Sequence, residues 1–375
     1  MKREALAVIV SVVVAVASVA AAVYEALEAR GVKASTTTIY ITRTSVESSQ
    51  LTTTLTRTVY STITYTVTRN YTLTVSETAR PAQSLVKLMP PPNFSLTLAG
   101  NLTFIAPTYD VPSETPGFST VASPFLWNLL SDSSGQANMT FSDGVLQVQL
   151  NFTGFVRSNK ATPVDGYPTL MYGAEYWWPF YGASSTRPPL ALPISLNLMP
   201  QFNSTLGFSV AKEVGEVIDF SYDIWVGYVN GSGAWTVNST EVVFPDMEIM
   251  VWLYHEGSLS GNPYFIYEGS LTVPVTVNGT SEREQFYVYV LPHTGSSSGW
   301  IGVYYLSASN LTGNVTVPLS LLIKEAPYFA RDVFPWINVN NYYLDAIQVG
   351  MEFSDTNGTV VASYRLWEWD LSFNG

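Results

Sequence analysis

Between about Phe94 and the C-terminal Gly375 the chain is written in short runs whose apolar residues fall on every second position. Val145-Leu146-Gln147-Val148-Gln149-Leu150, Phe286-Tyr287-Val288-Tyr289-Val290 and Val360 to Trp367 are examples, separated by Gly, Asn, Ser and Pro. Successive side chains of a strand point to opposite faces, so each run specifies a strand with one buried face. A long succession of such strands implies an all-β sandwich or jelly roll. One segment departs from this period. Pro318 stands at a first-turn position, and Leu319, Leu322, Ile323 and Ala326 follow at helical spacing. It predicts one short helix, ended by Pro327 and packed on the outer side of a sheet.

The N-terminal part follows other rules. Lys2 and Arg3 precede an apolar run from Ala5 to Val23, long enough to cross a bilayer. Residues 1–34 are therefore read as a signal peptide or membrane anchor, with the rest of the chain outside the cytoplasm. Residues 35–85 are dominated by Thr and Ser, bury too little apolar surface to fold alone, and read as a stalk. Arg80-Pro81 and Pro90-Pro91-Pro92 mark its end, leaving 86–375 as the folded domain. Asn-x-Ser/Thr tripeptides recur from Asn70 to Asn357, in keeping with an extracellular, glycosylated surface.

Composition narrows the ligand. Charged residues are 12% of the 375 and aromatics 14%, with a net charge of −12. An acidic chain repels phosphate backbones, so nucleic acid is not expected as a partner. There is no Cys, and the two histidines, His255 and His293, are isolated, which gives no metal-binding pattern and no cofactor. Surplus Tyr and Trp with scarce charge fit a neutral polar ligand held by stacking, such as carbohydrate.

Three strands carry the chemistry. In Asp246 to Leu253, Met247, Ile249, Val251 and Leu253 form an apolar face, while Glu248, Met250 and Trp252 share the other. In Tyr343 to Phe353, Ile347, Val349, Met351 and Phe353 back a face of Gln348, Gly350 and Glu352. Gly350 leaves room there for a ligand pressed against the sheet. In Phe220 to Val226, Ser221, Asp223 and Trp225 share the polar face. Each alone is compatible with an ordinary solvated strand. Together, three strands with apolar backs and acids in front describe the wall of a groove.

The strand from Asp246 to Leu253 resembles the nucleophile strand of glycoside hydrolase family 12 endoglucanases. Tyr343 to Phe353 resembles that family's acid/base strand, and Tyr222-Asp223-Ile224-Trp225 the strand whose Asp supports the nucleophile. Gly166 to Gly173, leading to Trp177 and Trp178, is similar to a segment of archaeal members. Phe125-Leu126-Trp127-Asn128 resembles the segment with a sugar-stacking Trp. The resemblance spans about Pro124 to Phe373. It implies a jelly-roll sandwich of two curved antiparallel sheets, the concave one forming an open cleft for β-1,4-glucan, and hydrolysis with retention through a glycosyl-enzyme. Glu248 would be the nucleophile, Glu352 the acid/base and Asp223 the nucleophile's partner. Trp127, Trp177, Trp178, Trp225, Trp252, Met250 and Tyr172 would bind substrate. It implies a monomer whose partner is the polysaccharide, secreted or held to the membrane only by the N-terminal segment. Two alternatives stay open: a non-catalytic carbohydrate-binding or surface-layer sandwich, and an enzyme acting on xyloglucan, mixed-linkage glucan or xylan.

Overall fold

The computed structural model describes residues 84–100, 108–130, 132–160, 162–176, 180–229, 242–292 and 299–373. The apolar run, the Thr/Ser-rich stretch, His293, Trp177 and Trp178 lie outside the described residues. None of the described helices is long and apolar enough to cross a membrane.

The alternating runs do form strands. In chain order they are β1 (Ser84–Lys87), β2 (Leu96–Gly100), β3 (Tyr109–Pro112), β4 (Ser119–Ser123), β5 (Ser134–Ser142), β6 (Val145–Gly154), β7 (Thr169–Glu175), β8 (Gly182–Ala183) and β9 (Ile194–Ser195). There follow β10 (Phe202–Val214), β11 (Glu216–Tyr228), β12 (Met247–His255), β13 (Ile266–Val277), β14 (Thr280–Leu291), β15 (Ile301–Ser307), β16 (Gly313–Val317), β17 (Tyr342–Ser354) and β18 (Val360–Phe373), with helix α1 (Leu319–Val333) between β16 and β17.

The pairings lay these out in two layers. One runs β2-β5-β6-β18-β10-β16, with β1 beside the far end of β18. The other runs β3-β4-β7-β17-β11-β12-β15-β14-β13. β13 also meets β16 at Thr276 and Val277, so the layers join along one edge. The expected antiparallel sandwich is present with one exception: β12 and β15 are parallel. Because β1 already pairs with Asp370–Phe373, the sandwich includes Ser84 and Leu85, just ahead of the expected boundary at 86.

The core lies between the layers. On β11, Phe220, Tyr222, Ile224 and Val226 point into it, as the alternation predicts. Phe220 stacks on Phe208 of β10 at 4.1 Å between centroids, with Tyr364 of β18 edge-on. Helix α1 differs from its prediction in two ways. It runs through Pro327 to Val333. A proline inside a helix forfeits one backbone bond and crowds the preceding turn. Here Pro327 is buried, with Ala326 and Ala330 beside it in the core. Nor is the helix an addition to the outside of the sandwich. Leu319, Leu322, Ile323, Ala326 and Ala330 all enter the central core, and Tyr305 of β15 donates from its hydroxyl to the Leu322 carbonyl at 2.9 Å.

Candidate active site

The second layer turns its other face away from that core, and the acidic residues gather there. On β11 this face carries Asp219, Ser221, Asp223 and Trp225; β12 adds Glu248, Met250 and Trp252; β17 adds Gln348 and Glu352; β7 adds Glu175. A register shift between Phe220 and Ser221, where β11 meets β12, resets the alternation and sets His255 opposite Asp219. Asp219 is also opposite Glu352 on the other flank. Three strands thus bring His255, Asp219 and Glu352 into one row.

Glu248 is in register with Trp225 on one side and Gly302 of β15 on the other. The Tyr304 ring folds across Gly302, where a Cβ would collide with it. That fold carries the Tyr304 hydroxyl to Glu248, donating to Oε2 at 2.6 Å, and Trp300 Nε1 donates to the same oxygen at 3.0 Å. Burial pushes the Glu248 carboxyl up from its ordinary pKa, while these two hydrogen bonds favour the ionised form and pull it down.

Glu352 has the opposite surroundings. Burial raises it first; the Asp219 carboxylate and the hydrogen bond to it raise it further, followed by Glu248 and Asp223. All of these hold the proton on. Asp219 is itself fully buried, and burial pushes it to about 7, opposed by its bonds to Glu352 and Ser221 and by nearby His255. The Ser221 hydroxyl donates to Asp219 Oδ1 at 2.6 Å, and the Oδ2 atom has no N–H or hydroxyl donor. Glu352 hydrogen-bonds Asp219, and two acids in that arrangement favour a proton shared between them. His255 is fixed behind them, with Nδ1 2.9 Å from the Gly257 carbonyl and Nε2 2.9 Å from the Ser307 carbonyl.

Asp223 sits between the two glutamates' strands and is pushed well up, by burial first and then by Glu248 and Glu175. Glu175 is also buried and accepts from Gln348 Nε2 at 2.5 Å. Among these acids Asp219, Asp223 and Glu175 are 0–6% exposed, whereas Glu248 and Glu352 are half-buried and reach the surface. Only those two can touch a ligand.

The structure brings together Glu248, Glu352 and Asp223 on neighbouring strands and adds Asp219, Trp300 and Tyr304, which the sequence reading missed. The signal for the last two was available. Trp300, Gly302 and Tyr304 alternate against Ile301, Val303 and Tyr305 just as Glu248 alternates against its neighbours. Asp219 was legible too: it keeps the parity of Ser221 and Asp223, and its register with Glu352 runs unbroken from the pair Asp223 and Gln348, so that only the β11–β12 bulge that sets His255 opposite it left no mark in the sequence.

Other expectations are corrected. Tyr172 does not face the groove: strand alternation turns it into the inter-layer core, where its hydroxyl donates to the Leu190 carbonyl at 2.5 Å. Trp225, Trp252 and Met250 are on the groove side but only 2–3% exposed. Trp300 packs edge-on against Trp225 at 5.4 Å, and Tyr304 against Trp252 at 6.3 Å. They are the underlayer of the floor, and among the described residues the half-buried indoles are Trp127 and Trp300. The space above Gly350 is filled too. A Cβ there would meet the Pro168 carbonyl and the Tyr167 ring, whose hydroxyl donates to the Ser221 carbonyl at 2.9 Å. Among the described residues no group of acids and histidines has the arrangement of a metal site.

Neither a protein-family model nor a curated protein matches this sequence. The architecture does match solved structures. The family 12 xyloglucanase from Bacillus licheniformis, in complex with ligand, aligns with a TM-score of 0.50 at 16% identity, over 74% of this chain and 98% of that one. The chain has the family 12 glycoside hydrolase fold. Endoglucanase 3 from Trichoderma harzianum, from the same family, aligns with a TM-score of 0.47 at 17% identity, over 75% of this chain and 99% of that one. The family 12 fold accounts for the expected jelly roll.

Proposed function

We propose that this protein is a retaining endo-β-1,4-glucanase. The observation that carries the reading is the contrast between the two reachable carboxyls. Glu248 receives two hydrogen bonds that favour its ionised form, and Glu352 is surrounded by acids that keep its proton on. Retaining hydrolysis needs one of each, about 5–5.5 Å apart across the scissile bond. Their mutual influence, with Glu248 among the groups that raise Glu352, supports that proximity.

In the first step Glu248 forms a bond to the anomeric carbon as the glycosidic C–O bond breaks, and Glu352 gives its proton to the departing oxygen. Asp219, relieved of the shared hydrogen bond, is left as a base beside Glu352. In the second step Glu352 takes a proton from water, whose oxygen attacks the anomeric carbon and releases Glu248. Asp223, pushed upward by burial and then by Glu248, limits the negative charge around the nucleophile. Trp127 and Trp300 offer the accessible faces for sugar stacking. The apolar run after Lys2 and Arg3, read as a signal peptide or anchor, supports a location outside the cytoplasm, where polysaccharide is at hand.

The test separates chemistry from binding. Glu248→Gln and Glu352→Gln should both abolish hydrolysis of carboxymethyl cellulose while leaving binding of cello-oligosaccharides intact. With dinitrophenyl β-cellobioside, whose leaving group needs little protonation, Glu352→Gln should still form the glycosyl-enzyme, detectable by mass, and azide should restore its turnover. Azide with Glu248→Ala should give a glycosyl azide of inverted configuration. A wild-type protein that binds these glucans and cleaves none, including xyloglucan and mixed-linkage glucan, would instead be a carbohydrate-binding sandwich.

A further inference from the structure

The segment that presents Trp127 is held in a conformation it would not keep alone. Phe125, two residues ahead, has φ 39, in the left-handed region that residues other than glycine rarely adopt. Its carbonyl accepts from the Tyr167 amide at 2.9 Å, and Gly166 permits that approach, since a Cβ there would lie 2.8 Å from the carbonyl oxygen. Asn128 is fully buried and uses both polar atoms of its side chain twice over. Nδ2 donates to the Asn159 carbonyl at 3.1 Å and the Val164 carbonyl at 2.8 Å. Oδ1 accepts from the Ser158 hydroxyl at 2.9 Å and the Asn159 amide at 2.7 Å. The Asn128 amide donates to the Asp165 carbonyl at 3.3 Å. Trp127 is thereby tied to Asp165 and its neighbours.

The same residues grip the strand of Glu352. The Asp165 amide donates at 2.9 Å to the carbonyl of Phe353, which follows Glu352, and Gly166 forms a bridge with Phe353. Arg157 completes the grip. Its Nε pairs with Asp165 Oδ1, and Nη2 reaches Asp355 Oδ1 at 2.8 Å and Ser354 Oγ at 2.9 Å. Ser354 ends β17 and has the parity of Glu352. The Asp355 amide closes the ring, donating to Asp165 Oδ2 at 2.6 Å. Asp165 is fully buried, and burial pushes its carboxyl up to about 6, against the pull of Arg157 and that amide. A planar guanidinium with N–H groups in fixed directions serves three partners at once, whereas a Lys ammonium is a point charge on a flexible stem. Nothing in the reaction described above uses this cluster.

We propose that Arg157, acting through Asp165, Ser354 and Asp355, is a positioning residue that holds the Trp127 platform and the Glu352 carboxyl in one fixed relation, so that sugar stacking and proton donation depend on the same ion pairs. The proposal rests on the glucanase reading for the role of Glu352. Arg157 itself touches no reacting atom; it fixes the backbone on either side of those that do.

Two glycosides with the same sugar separate the two effects. Phenyl β-cellobioside needs its leaving group protonated and dinitrophenyl β-cellobioside does not, while a loss of stacking acts on both alike. In Arg157→Met, kcat/KM should fall about tenfold further on the phenyl than on the dinitrophenyl glycoside, within the ~100-fold that a misplacement of about 1 Å can cost. Arg157→Lys, which keeps a charge beside Asp165, should recover part of that gap. Ser354→Ala removes one bond and neither ion pair. It should open the same gap by about twofold, and it carries the test if Arg157→Met does not fold. In gels cast with soluble β-1,4-glucan, Arg157→Met should be retarded as weakly as Trp127→Ala. A fall of equal size on both glycosides in Arg157→Met and Ser354→Ala, or retardation of Arg157→Met as strong as that of the wild type, would overturn the brace. If the wild type is retarded but cleaves neither glycoside, the glucanase reading falls. The retardation of Arg157→Met then decides by itself whether the brace holds Trp127.

Discussion

At the scale of residues, the site depends on what surrounds two otherwise similar glutamates. Tyr304→Phe isolates one of those surroundings, because it removes the hydroxyl and keeps the ring that packs on Phe265 and Trp252. Hydrogen bonds to a charged group are worth about 1.5–3 kcal/mol, so kcat/KM should fall about 10–100-fold. The sign of the pH effect follows from which form the bond favours. Losing a donor to the ionised form raises the pKa of Glu248, so the acid limb of the kcat/KM profile should move to higher pH, by about one unit. A profile that drops without shifting would mean that Tyr304 acts only by position. Much of this site was legible from period-two alternation, which put Glu248, Glu352 and Asp223 on polar faces. Alternation gives a face but says nothing of which neighbour covers a side chain. That is why Trp225 and Trp252 look available in the sequence and are buried, and why the space at Gly350 holds Tyr167. Tyr172 was assigned by likeness of its segment; its own parity, opposite that of Met171, already turned it inward.

At the scale of elements, β11 and β12 are positioned by a clamp. Asp246, just before β12, accepts from the Tyr228 amide at 2.7 Å through Oδ1 and from the Val243 amide at 3.0 Å through Oδ2. It is buried, and its carboxyl is pushed up to about 6 by burial against the pull of those two amides. Asp246→Ala strands two amides at once and should cost about 2–4 kcal/mol, read as a lower urea midpoint with unchanged slope. Asp246→Asn keeps one acceptor and should cost about half as much. A loss below 0.5 kcal/mol for the alanine variant would show that water replaces the carboxylate. The strands themselves were readable, since their residues keep the two-residue period over long runs. The helix was readable only as far as Pro327, because a local rule about proline cannot weigh the core that Ala326 and Ala330 enter beyond it. The parallel pairing of β12 with β15 left no local mark at all.

At the scale of the whole molecule, buried acids set the response to pH. Asp165, Asp246 and Asp370 are each raised to about 6, Asp219 to about 7, and Glu175, Asp223 and Glu352 also upward, in every case chiefly by burial. A carboxyl whose folded pKa exceeds its unfolded value of about 4 takes up protons on folding. Its contribution to stability is fully present below about pH 4 and is lost as pH rises through 6 to 7. Self-repulsion at a net charge of −12 acts in the same direction. Thermal unfolding should therefore give a higher Tm at pH 5 than at pH 8, and a flat or rising Tm over that interval would contradict the assignment. One further consequence concerns the order in which the site is completed. The chain leaves β12, lays down β13 and β14, and only then returns to place β15 in the slot between β12 and β14. Glu248 precedes Trp300 and Tyr304 by 52 and 56 positions, so its donors arrive with a strand that must find a gap already walled on both sides. Such distant pairings form late, after local hairpins. During refolding, strand content should therefore return before hydrolysis does, and the interval between them is the time β15 takes to find its place.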